Sequence, residues 1–337
     1  MRSELLDVLV CAQCGGDLAA EGVNVAGELH DGTLRCDGCG AVLPVTSGVP
    51  RAVGGDSAQA KVARAFSLQW DAYDRGEFER RTVYGRSDAN LWEFFLSGTG
   101  ISESALVDLA VLDAGCGPAS ISRPIAQHGA RTVVALDISD AVDAVAADAR
   151  NLTNLHAIQA DLMAAPLRAA FDLVWSAGVI HHTNDAAEAF RSLTRYVRPG
   201  GLLFVWVYPR DLRPFHWSNT TQWIQAILAR VGLRRLSDST ILRLADILSY
   251  PTVGLHMLYR AARSLPGLRP RTLNARESVT PITRRAFHLI WNDALVPPFT
   301  SWHREREVVG WFREAGFTDI VIAPTRRLGV RGRAPVG

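Results

Sequence analysis

The chain has 337 residues, 48% hydrophobic and 21% charged, with a net charge of +2. That is enough for two domains or one elaborated one with a packed core, and a near-neutral balance implies no nucleic-acid partner by itself. No apolar run approaches the ~20 residues of a membrane span, and Met1-Arg-Ser-Glu-Leu-Leu-Asp7 lacks a signal-peptide core. No membrane partner and a cytoplasmic location are therefore expected.

Residues 1–53 read as a unit. Cys11-Ala-Gln-Cys14 and Cys36-Asp-Gly-Cys39 are two C-x-x-C pairs separated by 21 residues, and each lies in a glycine turn. Such turns let four thiolates converge on one tetrahedral ion, so Cys11, Cys14, Cys36 and Cys39 are assigned to zinc. With no position left for water, the zinc is structural. So small a unit cannot bury enough apolar surface unaided, and the metal compensates. Over residues 4–53 it resembles the small zinc-ribbon proteins that activate tRNA and protein methyltransferases.

Residues 54–107 follow as a linker and helical cover. Helices are expected near 58–71 and 91–97, with an aromatic set of Phe66, Trp70, Tyr73, Trp92, Phe94 and Phe95.

Residues 108–208 alternate strand and helix, the pattern of a Rossmann-like α/β core with a parallel sheet. Strands are predicted at 111–113, 132–136, 156–159, 171–176 and 202–208. Ligands bind at the C-terminal ends of such strands. The first end is Asp113-Ala-Gly115-Cys116-Gly117-Pro-Ala119-Ser120. Its glycines let a ligand lie against the main chain, and the helix expected to open at Ala119–Ser122 aims free N–H groups at it. By itself this loop suits a dinucleotide or a nucleoside equally. Asp137 ends the second strand, where a carboxylate accepts from ribose hydroxyls. Asp161 ends the third, beside the Leu162 backbone; a carboxylate there reads an adenine amino group or caps a short helix. Ser176, His181, His182 and Asp185 follow the fourth. Arg198-Pro-Gly-Gly201 is expected to stop a helix before the fifth strand.

As an ordered set, Asp-x-Gly-x-Gly, the acid after the second strand, Gln-Ala-Asp161, Phe171-Asp-Leu-Val and Arg-Pro-Gly-Gly resemble the class I S-adenosylmethionine (SAM)-dependent methyltransferases over residues 108–208. The family's third glycine is Ala119 here. The resemblance implies a seven-stranded sheet and SAM as cofactor. It implies cofactor contacts from Asp113, Gly115, Cys116, Gly117, Asp137, Ile138, Asp161, Leu162 and Ser176, with Trp70 and Tyr73 closing over the donor. His181 and His182 stand where the acceptor belongs. A histidine there is a base, a packing residue, or a ligand to a catalytic divalent cation together with Asp185, Asp293 or His303.

Residues 209–300 form an insertion with 13 Arg against 5 acids. Helices are expected at 223–231 and 241–248, with Pro251, Pro266, Pro270 and Pro281 interrupting the rest. A helical, basic substrate cap suits an anionic acceptor. Residues 301–337 supply the last helix and closing strands at 317–323 and 327–333.

The chain also resembles zinc-ribbon methyltransferases of bacterial secondary metabolism, including O-methyltransferases that esterify small organic acids, and this resemblance implies the leading reading: O-methylation of a small anionic molecule, such as the carboxylate of an alkylmalate, in a bacterial biosynthetic pathway. An rRNA or tRNA methyltransferase is the alternative. The first 50 residues, with two bases and seven acids, are poorly suited to phosphates. A non-catalytic adaptor is the third class, and the retained Asp113, Asp137 and Asp161 oppose it.

Overall fold

A computed structural model describes residues 1–25, 27–53, 58–79, 82–83, 86–210, 236–264, 283–324 and 328–336. The expected linker at 54–57, the expected helix at 223–231 and Pro266, Pro270 and Pro281 lie outside the described residues. No helix among the described residues is long and apolar enough to cross a membrane.

The N-terminal strands are β1 (Leu18–Val25), β2 (Glu28–Cys36), β3 (Val42–Thr46) and β4 (Val49–Ala52). Helices α1 (Ala58–Asp74) and α2 (Asp88–Thr99) follow, with the short strands β5 (Thr82–Val83) and β6 (Arg86–Ser87) between them. The core then runs β7 (Ala110–Ala114), α3 (Ser122–Gln127), β8 (Thr132–Asp137), α4 (Val142–Asp148), β9 (Leu155–Ala160), β10 (Phe171–Ala177), α5 (Ala186–Thr194) and β11 (Val197–Val207). Helices α6 (Asp238–Ser264), α7 (Arg284–Leu295) and α8 (Glu305–Glu314) precede β12 (Thr318–Ile322) and β13 (Leu328–Arg333).

Eleven strands form one sheet in the order β1-β2-β3-β4-β9-β8-β7-β10-β11-β13-β12. Its last seven are the expected methyltransferase sheet: β9, β8, β7, β10 and β11 are parallel, and β13 is antiparallel between β11 and β12. Central β7 is buried along its whole length. Such a strand reads as a continuous apolar run because helices cover both faces. Leu112, Val134, Ile158, Val174 and Leu203 pack under Phe190 of α5 and Phe312 of α8. Val111, Val133, Ala157, Leu173 and Phe204 pack on the opposite face with Phe95, Ile125 and Val142.

The ribbon adds the other four strands. β4 pairs parallel with β9 (Arg51↔Gln159, Ala52↔Ala160). Leu5, Leu9, Leu34 and Val45 belong to the same hydrophobic cluster as Leu112 and Phe171. Besides the metal site expected to compensate for its small size, the ribbon buries an apolar face against the core.

Three local expectations also change. α3 opens at Ser122, and Ala119 is a fully buried turn residue at φ 55°. The chain turns left-handed there before the helix, at roughly 1–2 kcal/mol for a residue with a Cβ. Pro251 lies inside α6 and does not end it. Arg198-Pro-Gly-Gly201 lies within β11, and α5 has already stopped at Thr194.

Candidate functional site

The site lies at the C-terminal ends of β7, β8, β9 and β10. Gly115 (φ 87°) and Gly117 (φ 48°) adopt left-handed backbone. A Cβ at Gly115 would lie 2.3 Å from Val179 Cγ2, and one at Gly117 would lie 2.8 Å from the Trp70 ring, so both positions need glycine. Asp137 fixes this turn from the neighbouring strand. Its Oδ2 accepts from Gly117 N–H at 2.8 Å, and Oδ1 accepts from Ser139 N–H at 2.9 Å and Ser139 Oγ at 2.6 Å. Asp113 accepts from Ser122 Oγ at 2.6 Å. Asp161 accepts from Met163 N–H at 2.9 Å in a turn, and no helix follows it.

Burial raises all three carboxyls above the ordinary range, because the charged form loses its hydration. Asp113 is pushed to about 7; desolvation dominates, the Ser122 hydroxyl opposes it and the Asp137 charge adds to it.

Asp113, Gly115, Cys116, Gly117, Asp137, Ile138, Asp161 and Leu162 all line one cleft. Phe66, Trp70, Phe94, Trp175, Trp206 and Phe299 form its aromatic wall, and His182 lies on the same cleft. Tyr73 stands behind the wall, edge-on to Trp70 at 6.0 Å. The sequence reading missed Trp206, whereas the segment 295–303, which carries Phe299, is the one the sequence places toward the acceptor. Trp206, near the end of β11, was open to the strand-end argument; Phe299 arrives from a loop 117 residues beyond His182.

Two expected site residues face elsewhere. Ser176 is buried and donates to Ala114 O at 2.9 Å, which ties β10 to β7. It is not among the described residues lining the cleft. His181 is likewise absent from that lining. Its ring is fully buried and stacks on Tyr208 at 3.9 Å between centroids. Burial, then the nearby His182 and His303, holds its pKa well below the usual value, so it stays neutral. The single turn Ile180–His182 sends adjacent side chains in different directions.

The proposed divalent set does not assemble among the described residues. His182 Nε2 lies 3.6 Å from Asp293 Oδ2. His303 is engaged by Ser301 Oγ at 2.8 Å and Glu307 Oε1 at 2.7 Å. Asp185 caps α5, accepting from Ala187 and Glu188 N–H. The one group of three or more metal-ligating side chains that converges among the described residues is Cys11, Cys14, Cys36 and Cys39, with all four Sγ within 4.8 Å. Cys11 and Cys39 Sγ are 3.5 Å apart, and Cys14 and Cys36 Sγ 3.4 Å. A zinc–sulfur bond of ~2.3 Å sets a tetrahedral S···S edge of ~3.8 Å, so the four sulfurs fit that ion with slight spreading. N–H groups of Cys14 and Gln13 lower the Cys11 thiol to about 7, while the neighbouring cysteines raise Cys14 and push Cys39 up to about 12; zinc binding would displace the protons the cluster holds.

A methyltransferase-domain family model matches residues 112–205. A malonyl-[acyl-carrier protein] O-methyltransferase of Pseudescherichia vulneris is 35% identical over 184 residues, covering 52% of this chain and 70% of that protein. A ubiquinone biosynthesis O-methyltransferase of Pseudomonas paraeruginosa is 31% identical over 116 residues, 33% of this chain and 50% of that protein. Among solved structures, magnesium protoporphyrin IX methyltransferase from Synechocystis PCC 6803 aligns with a TM-score of 0.46 at 17% identity, covering 82% of this chain and 99% of that one. With the ordered strand-end residues, the match to the Pseudescherichia vulneris enzyme, 35% identical over 70% of that protein, identifies the chain as a member of the SAM-dependent methyltransferase family.

Proposed function

We propose that the chain is an O-methyltransferase of small molecules, with SAM held at the glycine turn and the acceptor oxygen brought to His182. The observation that carries this is the continuity of the cleft, from Asp113, Asp137 and Asp161 past an aromatic wall to His182. The residues present fit SAM. Gly115 and Gly117 expose main chain where a side chain would fill the turn, and carboxylates with aromatic faces suit a ligand bearing ammonium and sulfonium charges. SAM supplies an activated methyl group for in-line transfer. The chain's part is to align the acceptor, exclude water and take a proton where the acceptor is a hydroxyl.

A carboxylate acceptor is the second reading, favoured by the similarity to an enzyme named for a malonyl group. It needs no base. Among the described residues no Arg or Lys lines the cleft, and Arg284 is directed to Asp246 and the Tyr250 ring; the cap's arginines Arg213, Arg230, Arg234, Arg235, Arg269, Arg271 and Arg276 lie outside the described residues. The RNA alternative loses support from the ribbon. Arg2 pairs with Glu28 and donates to Ala149 O, and Arg35 pairs with Glu21.

Zinc-loaded full-length protein given methyl-labelled SAM should label small phenols or small carboxylic acids and leave bulk tRNA and rRNA unlabelled. His182→Gln should abolish transfer to phenols and spare transfer to carboxylates. Label in RNA alone would overturn the small-molecule reading.

A further inference from the structure

Near the C-terminal end of β9 a buried amide joins the ribbon to the loop after β8. Leu155 and Ala157 pack on the sheet face covered by Val142 and Val145 of α4, and the alternation of a strand brings Gln159 to the same face. Gln159 is 8% exposed, so its polar atoms need partners within the fold. Its cross-strand neighbour on β4 is Arg51. Arg51 Nη1 donates to Gln159 Oε1 at 2.7 Å. A guanidinium can only donate, so the amide oxygen faces the ribbon and the amide nitrogen faces away from it. Gln159 Nε2 donates to Asp140 Oδ1 at 2.8 Å and to Ile138 O at 3.4 Å. The amide thus stands between a cation and a carboxylate and presents to each the atom it requires. Arg51 Nη2 also donates to Asp143 Oδ1 at 2.5 Å, in the first turn of α4. Asp140 carries the connection across the loop, because its N–H donates to Ser67 Oγ on α1 at 3.0 Å. The next residue, Ala141, packs with Trp70, and Phe66 and Tyr73 lie against that pair. Ile138, Phe66 and Trp70 all line the cleft. One polar path, Arg51–Gln159–Asp140–Ser67, therefore links four segments distant in sequence and ends beside cleft-lining residues on both the loop and the helix.

We infer that Gln159, oriented by Arg51, is a positioning residue of the cofactor cleft: it fixes the 138–140 loop and, through Asp140 and Ser67, the seat of α1. This rests on the reading that SAM occupies the cleft. Arg51, Gln159, Asp140 and Ser67 are not among the residues lining the cleft. They act on its shape, by holding Ile138 on one side and Phe66 and Trp70 on the other. The position calls for an amide. Glutamate would set a second carboxylate against Asp140, and leucine would remove the group that joins Asp140 to Arg51.

The test is calorimetry of S-adenosylhomocysteine binding to zinc-loaded full-length protein, with zinc content and thermal unfolding measured on every variant. Gln159→Leu should weaken binding by about tenfold, the loss expected when a buried bridging group is removed. Gln159→Glu should weaken it as much although it keeps an acceptor for Arg51, which a role confined to the β4–β9 seam does not predict. Arg51→Met should weaken binding less than Gln159→Leu. The double variant should bind no more weakly than Gln159→Leu alone, the non-additivity of residues that act through one another. Ser67→Ala, at the far end of the path, should weaken binding by a smaller factor. Arg51→Met and Ser67→Ala carry the test if the Gln159 variants fail to fold. A lowered unfolding temperature with unchanged affinity in the folded, zinc-loaded variants would overturn the inference and leave the seam a matter of stability alone. Additive effects of Arg51→Met and Gln159→Leu would overturn the path between them. A parent protein that binds no S-adenosylhomocysteine would overturn the placement of the cofactor, and this inference with it.

Discussion

The ribbon and the helical insertion are both additions to the seven-stranded core, yet they meet it by different physics. The ribbon continues the sheet. β4 hydrogen-bonds to β9, Val10 N–H donates to Pro166 O at 3.0 Å, and Arg168 N–H donates to Val8 O at 3.0 Å. Its Leu5, Leu9 and Leu34 are 0–1% exposed within the main cluster. The insertion helices α6 and α7 instead join through small clusters: Ile241 and Val296 with Ala65, and Leu289 with Ala72 and Phe78. Backbone pairing and a shared core make one cooperative unit. Small side-chain clusters make a looser junction that opens more readily than a shared core. The ribbon thus shares the core of the sheet, while α7 brings Asp293 to 3.6 Å from His182.

The hardest test of this contrast is to break the four-cysteine cluster. Cys36→Ser, or chelation of the parent, should unfold ribbon and sheet together, because structural zinc contributes on the order of 10 kcal/mol in small sites and the cores are continuous. Zinc content and thermal unfolding would show it. A core transition that persists unchanged without zinc would mean the seam is passive.

At the site itself, Asp137→Ala removes the acceptor for Gly117 N–H and both Ser139 bonds. SAM affinity by calorimetry should fall by about 10- to 100-fold, as expected for loss of charge-assisted bonds at roughly 1.5–3 kcal/mol. An unchanged affinity would remove Asp137 from the cofactor site.

The seam also carries a pH signature. His156, on β9, is buried beneath the ribbon, and its pKa is lowered to about 4, first by desolvation and then by Arg2. The unfolded ring binds a proton near 6.5 and the folded ring only near 4, so stability is lost as pH falls through that window. The loss approaches roughly 3 kcal/mol at ~1.4 kcal/mol per unit. Urea unfolding of His156→Leu between pH 4 and 6.5 should show a shallower slope than the parent. Equal slopes would place the acid sensitivity elsewhere.

The smallest effect is expected on the insertion. Arg284 pairs with Asp246 and lies 4.7 Å above the Tyr250 ring. Arg284→Ala should cost about 1 kcal/mol or less, since exposed pairs contribute little. A loss comparable to that of a ribbon cysteine would erase the distinction between the two additions.

How much of this was written in the primary structure follows from the range of the interactions involved. The cysteine spacing, the glycine turn and the acids ending β8 and β9 are local patterns with strict backbone requirements, so Cys11 to Cys39, Gly115, Gly117, Asp137 and Asp161 could be read directly. Strand periodicity likewise exposed the α/β core. The direction of adjacent side chains in a single turn is not periodic. His181 and His182 therefore looked equivalent until the fold buried one against Tyr208 and set the other on the cleft. Ser176 looked like a strand-end ligand contact until β7 supplied Ala114 O as its partner. The ribbon's apolar residues were visible, but their partner was not: only the tertiary structure brings β4 beside β9. The juxtaposition of His182 with Asp293 needed it most, since 110 intervening residues separate them and only packing of α7 across the strand ends closes the gap to 3.6 Å.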